Sequence, residues 1–285
     1  MIHELPLERR TLHGHYSCEL SPVVTIDSGD TIAFSCPNAR WEYERGVRFE
    51  PYDEELDAGH SLVGPVELRG AKVGGTLVVR VRNVVPGPWG VTHAARSTTV
   101  EWRLENGEGV ADRGMRVTLA PFLGVMGMPP AEPGRHSTGP PRRSGGNIDC
   151  KELVAGTTLY LPISVEGALF SAGDGHAAQG DGEVSGTAIE CPVERGELTL
   201  ELSELELRTP IARTETSWIA LGFSEDLDLA AEEAMATMLD LMQRELGLDR
   251  SYALALSSVV VDLRVTQIVN GVKGVHAVLR DDAIR

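Results

Sequence analysis

The sequence predicts a mostly β protein, sandwich- or barrel-like, that closes in an α+β section. Two observations predict it. Short β-branched runs alternate with Gly/Pro-rich turns through most of the chain, whereas helical periodicity is confined to its last quarter. The composition, 42% apolar and 24% charged, is that of a globular chain long enough to bury its own core without disulfide staples.

The elements follow in order. Pro22-Val-Val-Thr-Ile26, the turn Asp27-Ser-Gly-Asp30 and Thr31-Ile-Ala-Phe-Ser-Cys36 read as a hairpin. Residues 40–57 are polar, aromatic and acidic and read as a surface excursion. Thr76-Leu-Val-Val-Arg-Val-Arg82 alternates as a half-buried strand, and Val100-Glu-Trp-Arg-Leu104 and Met115-Arg-Val-Thr-Leu119 are further short strands, with Trp89 in a turn between. Residues 121–147 are dense in Pro and Gly and read as a long functional loop, ordered by Phe122-Leu-Gly-Val-Met-Gly-Met128. Leu159-Tyr-Leu-Pro-Ile-Ser-Val165 and the alternating stretch from Leu198 return to strand. Leu227 to Leu246 is an amphipathic helix with Leu229, Ala234, Met238, Leu241 and Met242 on one stripe and Gly247 at its C-terminal cap. Ser251 is the expected N-cap of a second helix, and Val275-His-Ala-Val-Leu279 the closing strand. Three regions result, 1–120 and 121–210, both β-rich, and 211–285, α+β; the alternative is one intertwined domain.

Charge narrows the partners. A formal net charge of -16 repels phosphate backbones and anionic lipid, so nucleic acid and membrane are not expected. It suits a neutral substrate, a cation or a divalent metal. No apolar run approaches the ~20 residues of a membrane span, and the charged opening MIHELPLERR lacks the apolar core of a signal peptide, so a cytoplasmic location is expected. Cys18, Cys36, Cys150 and Cys191 form no C-x-x-C pair and are expected as free thiols.

The densest chemistry lies in residues 145–190. Between Asp174 and Glu183 stand two Asp, one Glu, one His and one Gln among glycines, which let backbone approach a ligand closely. Asp174 and His176 are metal-ligand types two residues apart, and Glu183 is a candidate general base. The competing description is a Gly/Asp-rich turn with solvated carboxylates. Upstream, Asn147, Asp149 and Cys150 add an amide, a carboxylate and a thiol. Ser144 has no partner lysine, so a serine nucleophile is disfavoured. His13-Gly-His15 with Glu19, and His93 further on, match parts of a cupin metal motif without its glycines. They define a different class: a metal- or small-ligand-binding β-barrel without turnover.

One string of segments ties these regions together. Pro22-Val-Val-Thr-Ile-Asp-Ser-Gly-Asp30, Gly64-Pro-Val66, Gly70-Ala71, Gly145-Gly-Asn-Ile-Asp149, the run from Leu161 through Phe170-Ser-Ala-Gly-Asp-Gly-His-Ala-Ala-Gln-Gly-Asp-Gly-Glu183 to Glu190, Asp262-Leu-Arg-Val-Thr-Gln267 and Gly274-Val-His276 occur in order. In this string the chain resembles the acetamidase/formamidase family; the family's Gly-Asp turn after Gly70-Ala71 is here Lys72-Val-Gly-Gly75. The resemblance implies hydrolysis of the C–N bond of a short-chain linear amide to carboxylate and ammonia, and a homo-oligomer, such as a dimer.

Two mechanisms are open. In one, a divalent metal (zinc, calcium or magnesium) is held by Asp149, Asp174 and His176, with Glu183, Asp149 and His176 as the catalytic set and Asn147, Gln179 and Cys150 at the substrate. In the other, Cys150 attacks with Glu183 or His176 as base. Metal-activated water is preferred, because hard ligands cluster and Cys150 has no activator nearby in sequence. A urea-like C–N substrate is a further alternative. Phe122, Met126, Met128 and Trp89 are candidates for the pocket wall, with core packing as the competing role. All of this requires Asp149 to meet Asp174, His176 and Glu183 in space.

Overall fold

The structure, a computed structural model, describes residues 1–94 and 98–284. Two large sheets share one core. The nine-stranded sheet runs, in spatial order, Ile2–Leu5, Asp30–Cys36, Val193–Ser203, Thr76–Pro86, Thr158–Pro162, Ile211–Arg213, Ser217–Ser224, Lys273–Arg280 and Val261–Gln267. The second sheet has twelve strands, at whose centre Phe170–His176 lies beside Phe122–Gly127. Ile32, Phe34, Leu77, Val79, Val81, Leu198 and Leu200 of the first sheet meet Val63, Val66, Leu123, Met126, Phe170 and Ala172 of the second in one buried cluster. The sheets stay open, so the architecture is a sandwich and not a barrel. Strands of regions 1–120 and 121–210 enter both sheets, while those of 211–285 extend the first.

The outer face of that extension carries the helices. Helix α1, Leu227–Leu246, is capped by the Asp226 carboxylate accepting from the Asp228 and Leu229 amides, and ends at Gly247 with φ 67°. Its buried stripe is Ala230, Ala234, Met238, Leu241 and Met242; Leu229, expected on it, is 55% exposed. Gly222 lets the helix sit on the sheet, since a Cβ there would lie 2.2 Å from the Ala230 carbonyl oxygen. Strand Ser217–Ser224 is therefore covered on both sides: Ile219 and Leu221 face the inter-sheet core and Ala220 faces the helix. Helix α2, Arg250–Val260, begins one residue before the expected cap. Asp249 caps it, accepting from the Ser251 and Tyr252 amides, because a carboxylate at that position already satisfies the first free N–H groups.

Three local expectations need correction. Val24–Ile26 and Asp30–Cys36 are strands but not a hairpin: the first pairs with Leu62–Leu68 in one sheet, and the second with Ile2–Leu5 and Val193–Ser203 in the other. The turn between them links the two layers. Within the expected long loop, Phe122–Gly127 is a strand buried at every position. Trp89 opens the strand Trp89–Ala94 and does not lie in a turn. The polar excursion of residues 40–57 does form its own two-stranded sheet, Glu42–Glu44 with Val47–Arg48, although Trp41 within it is buried.

Candidate active site

The site grows from the central strand pair. Phe122 faces His176 and Leu123 faces Gly175 in antiparallel register, so Gly124 stands opposite Asp174. Residues 170–176, expected as part of a glycine-rich turn, form this strand, fully buried. The glycines are there for close approach. A Cβ on Gly173 would lie 2.2 Å from the Ser61 carbonyl oxygen, and one on Gly175 would lie 2.5 Å from Val193 Cγ2. Asp174 and His176, two apart on a strand, project to the same side. Glu190 pairs with His176 from the neighbouring strand Glu190–Cys191. Asp149 follows strand Gly145–Asn147, and its amide donates to the Gly124 carbonyl at 3.2 Å. Glu183 comes from the loop beyond His176, which docks on strand Val261–Gln267 through the Gly182 amide donating to the Thr266 carbonyl.

These five side chains converge. His176 Nε2 lies 3.4 Å from Asp174 Oδ2 and 3.3 Å from Glu190 Oε1, and its Nδ1 lies 4.0 Å from Asp149 Oδ1. The Phe122 ring packs edge-on against the imidazole at 5.0 Å and fixes its plane. Asn270, from the C-terminal hairpin, donates through Nδ2 to Asp149 Oδ2 at 2.6 Å, and Gln179 donates to the Asp149 carbonyl at 2.7 Å. Asp149, Asp174 and Glu183 all hold positive φ, at 53°, 60° and 45°. Non-glycine residues seldom adopt that region, and such strain concentrates where a side chain must be aimed for function. The mouth is a cavity of about 250 Å³ lined by His60, Asn147, Asp174, Glu183, Glu190 and Asn270, among others. That is smaller than the ~300–1,000 Å³ of drug-sized ligand sites and suits a compact ligand.

Four buried carboxylates around one imidazole set the electrostatics. Burial pushes the Asp149 carboxyl well above the usual range, and the Glu183 charge adds to it. Glu183 itself is pushed up to about 7 by burial and by the Glu190 and Asp174 charges, against the pull of His176. Burial disfavours the charged His176, yet the Glu190 and Asp174 charges overcome it and raise the imidazole well above its ordinary value. Burial also opposes ionised Asp174, but His176 and His60 hold its carboxyl below the usual range. The cluster thus needs positive charge, from protons or from a cation.

A cation fits on the chemistry of the donors. Asp149, His176 and Glu183 offer three ligand atoms within 4.8 Å of one another, and so do Asp174, His176 and Glu190. Asp149 Oδ1, Asp174 Oδ1, His176 Nδ1, Glu183 Oε2 and Glu190 Oε2 are buried without a hydrogen-bond partner. Gly124 leaves the centre open, since a Cβ there would stand 2.6 Å from Asp174 Oδ2 and 2.7 Å from Asp149 Oδ1. Carboxylate oxygens with one imidazole suit magnesium, calcium or zinc.

The other sequence candidates fall elsewhere. Asn147 lines the cavity, with Oδ1 unpartnered and Nδ2 bound to the Gly139 carbonyl. Cys150 does not join the cluster: its thiol is fully buried and donates to Glu152 at 3.3 Å. Burial and the Glu152 charge push that thiol well above its ordinary value, the opposite of an activated nucleophile. His13 is bound to Ser171 and to the His15 carbonyl, Glu19 to the Gly134 amide and His93 to Thr99, so the cupin-like set does not assemble among the described residues. Phe122, Met126 and Met128 are core, and Trp89 does not line the cavity. Glu190 and Asn270 were not singled out by sequence. Glu190 carried a signal, as the end of the family-like string; Asn270 carried none, in a turn with no pattern of its own.

Comparison with known proteins agrees with this geometry. The acetamidase/formamidase family profile matches residues 131–205, the segment that carries Asn147, Asp149, Asp174, His176, Glu183 and Glu190. An acetamidase of Bacillus halodurans, known from its crystal structure, superposes with a TM-score of 0.87 at 29% identity over 98% of this chain and 97% of its own. In fold and in the matched segment the chain is similar to the acetamidase/formamidase family. A predicted formamidase of Schizosaccharomyces pombe is 24% identical over 72% of this chain and 68% of its own length. The acetamidase of Mycolicibacterium smegmatis is 50% identical over 48 residues, 17% of this chain and 12% of that enzyme.

Proposed function

We propose that this protein is a member of the acetamidase/formamidase family and hydrolyses the C–N bond of a short-chain linear amide, of the formamide or acetamide class, to carboxylate and ammonia. The observation that carries this reading is the buried cluster of four carboxylates around His176, three of them at strained backbone positions, beside a small cavity. Asp149, Asp174 and His176, joined by Glu190, would hold a divalent cation. When bound, such a cation supplies positive charge that acidifies water and stabilises oxyanion charge.

The side chains do the rest. Glu183, at the wall of the cavity, takes a proton from the attacking water and returns it to the departing nitrogen. Asn147 Oδ1, unpartnered beside the cavity, accepts from the substrate amide N–H. Asn270 and Gln179 hold Asp149 in place from either side. His176, pressed against Phe122, lies within 3.4 Å of both Asp174 and Glu190 and neutralises part of their charge. Cys150 takes no part in this reading, because its thiol faces Glu152. We further propose that the protein works in the cytoplasm as a homo-oligomer. Free cysteines suit a reducing compartment, and the exposed Tyr252, Leu254 and Val259 of α2 offer apolar surface to a second copy. No helix among the described residues is long and apolar enough to cross a membrane.

The test is ammonia release from formamide, acetamide and urea by protein as purified, after chelation, and after return of zinc, magnesium or calcium. Turnover of a linear amide that chelation removes and one cation restores is the expected result. Turnover of urea alone would reassign the substrate, full activity of metal-free protein would remove the cation, and silence on every compound would overturn the amidase reading.

A further inference from the structure

We infer that Cys150, Glu152 and His276 form a second cation site, suited to a thiophilic divalent ion such as zinc, which fastens the C-terminal hairpin to the turn carrying Asp149. The site shares no residue with the carboxylate cluster and stands apart from the amidase reading. One ligand atom from each of the three residues lies within 4.8 Å of the other two. Cys150 and His276 are fully buried, and the Glu152 side chain is 17% exposed, which leaves an entry path.

The spacing is that of ligands around one ion. Glu152 Oε2 lies 3.3 Å from Cys150 Sγ and 3.5 Å from His276 Nε2. Zinc–sulfur bonds of ~2.3 Å and zinc–nitrogen or –oxygen bonds of ~2.0–2.2 Å, at tetrahedral angles, set neighbouring ligand atoms roughly 3.4–3.6 Å apart. A hydrogen bond between thiol and carboxylate accounts for Cys150 and Glu152 alone. It leaves His276 Nε2, which is buried, makes no hydrogen bond, and meets Glu152 Oε2 only at 3.5 Å, a contact that is an ion pair only when the imidazole is protonated. A cation partners all three.

The surroundings match those of a ligated imidazole. His276 Nδ1 is tied to Thr266 Oγ1 at 2.8 Å, and with Nδ1–H donating there, Nε2 presents its lone pair to the site. Arg264 binds Glu152 Oε1 at 3.1 Å, which leaves Oε2 turned toward the thiol and the imidazole. A thiolate with an imidazole and a carboxylate favours zinc over magnesium or calcium, so this site differs in kind from its oxygen-rich neighbour. Its placement gives the consequence. Cys150 follows Asp149 directly, and His276 lies on Lys273–Arg280, the strand that follows the turn bearing Asn270. An ion here would hold Asn270 against Asp149.

Cobalt(II) reads the site directly. A thiolate bound to cobalt gives a ligand-to-metal charge-transfer band in the near ultraviolet, which carboxylates and imidazole do not give. Metal-free protein titrated with cobalt is expected to develop this band. The band is expected to be lost in Cys150→Ser, to require at least tenfold more cobalt in His276→Gln, and to persist in Glu190→Gln. X-ray absorption of the zinc-loaded unaltered protein is expected to show a sulfur neighbour at ~2.3 Å, a readout that needs no variant to fold. A zinc-saturated protein without a sulfur neighbour, or a cobalt band that survives in Cys150→Ser, would overturn the inference.

Discussion

Gly124→Ala asks how much the open centre of the cluster matters. The added methyl would stand 2.6 Å from Asp174 Oδ2, 2.7 Å from Asp149 Oδ1 and 2.9 Å from His176 Cε1, where ordinary contact begins at 3.4 Å. The three groups must therefore retreat by about 0.8, 0.7 and 0.5 Å. None retreats freely: Asp149 is tethered by Asn270, His176 is backed by Phe122, and Asp174 sits in a buried strand. Overpacking of this kind costs roughly 1–3 kcal/mol of stability. The effect on chemistry is larger, because a ~1 Å misplacement of reacting groups costs on the order of 100-fold in rate. The variant is thus expected to remain folded, with a melting temperature lowered by a few degrees, while kcat/KM for ammonia release falls at least about 100-fold and bound metal is lost. Gly180→Ala is the matched control: its Cβ meets nothing within 4 Å, and activity should stay within about threefold of wild type. A Gly124→Ala enzyme with wild-type kcat/KM and metal content would refute the placement of the reacting centre.

Further outcomes follow from the same geometry. In metal-free protein, Glu183 rises from 4.5 to about 7 on folding, so the native state holds a proton that the unfolded chain has released between those pH values. Stability from this group is full below pH ~4.5 and lost as pH rises through ~7, about 3 kcal/mol at ~1.4 kcal/mol per unit. Asp149 and His176 act with the same sign. Urea melts at pH 5 and pH 8 should show the fall, Glu183→Gln should reduce it, and a divalent cation should remove it with proton release; a flat profile would contradict the assignment. Asn270→Ala removes a hydrogen bond to a carboxylate, worth ~1.5–3 kcal/mol to the fold, so the melting temperature should fall by a few degrees, and kcat/KM should drop on the order of 100-fold because Asp149 loses its aim. Gly247→Ala puts a side chain at φ 67° where Cβ meets no neighbour, so calorimetry should show a loss of about 1 kcal/mol with activity unchanged; no loss would mean that the helix cap adjusts without strain.

What the sequence made legible depended on whether a residue's role was local. Helix α1 was readable to its last residue, because one face is solvent and Gly247 marks the stop. Phe122–Gly127 was not, because a strand buried on both faces has no alternation to read. The glycines of residues 170–176 suggested a turn. They serve a strand crowded by the Ser61 backbone and the Val193 side chain, and only the neighbouring strands reveal that. The 22–36 segment showed both its strands but not their separation into different layers, since pairing is settled by partners far away in sequence. In the site, family likeness suggested that Asp149, Asp174, His176 and Glu183 meet; the structure puts Asp149 and Glu183 on one side of His176 and Asp174 with Glu190 on the other. Asn270 lies 121 residues from Asp149, beyond the reach of any local pattern.

That contact carries a lesson about synthesis. The hydrogen bond from Asn270 completes the surroundings of Asp149, and Gly182 leans on the strand that leads to it. A nascent polypeptide can lay down most of both sheets while this corner still lacks its clasp. The surroundings of Asp149 are therefore complete only once the hairpin of Val261–Gln267 and Lys273–Arg280 is in place, although every carboxylate of the cluster precedes it in the chain.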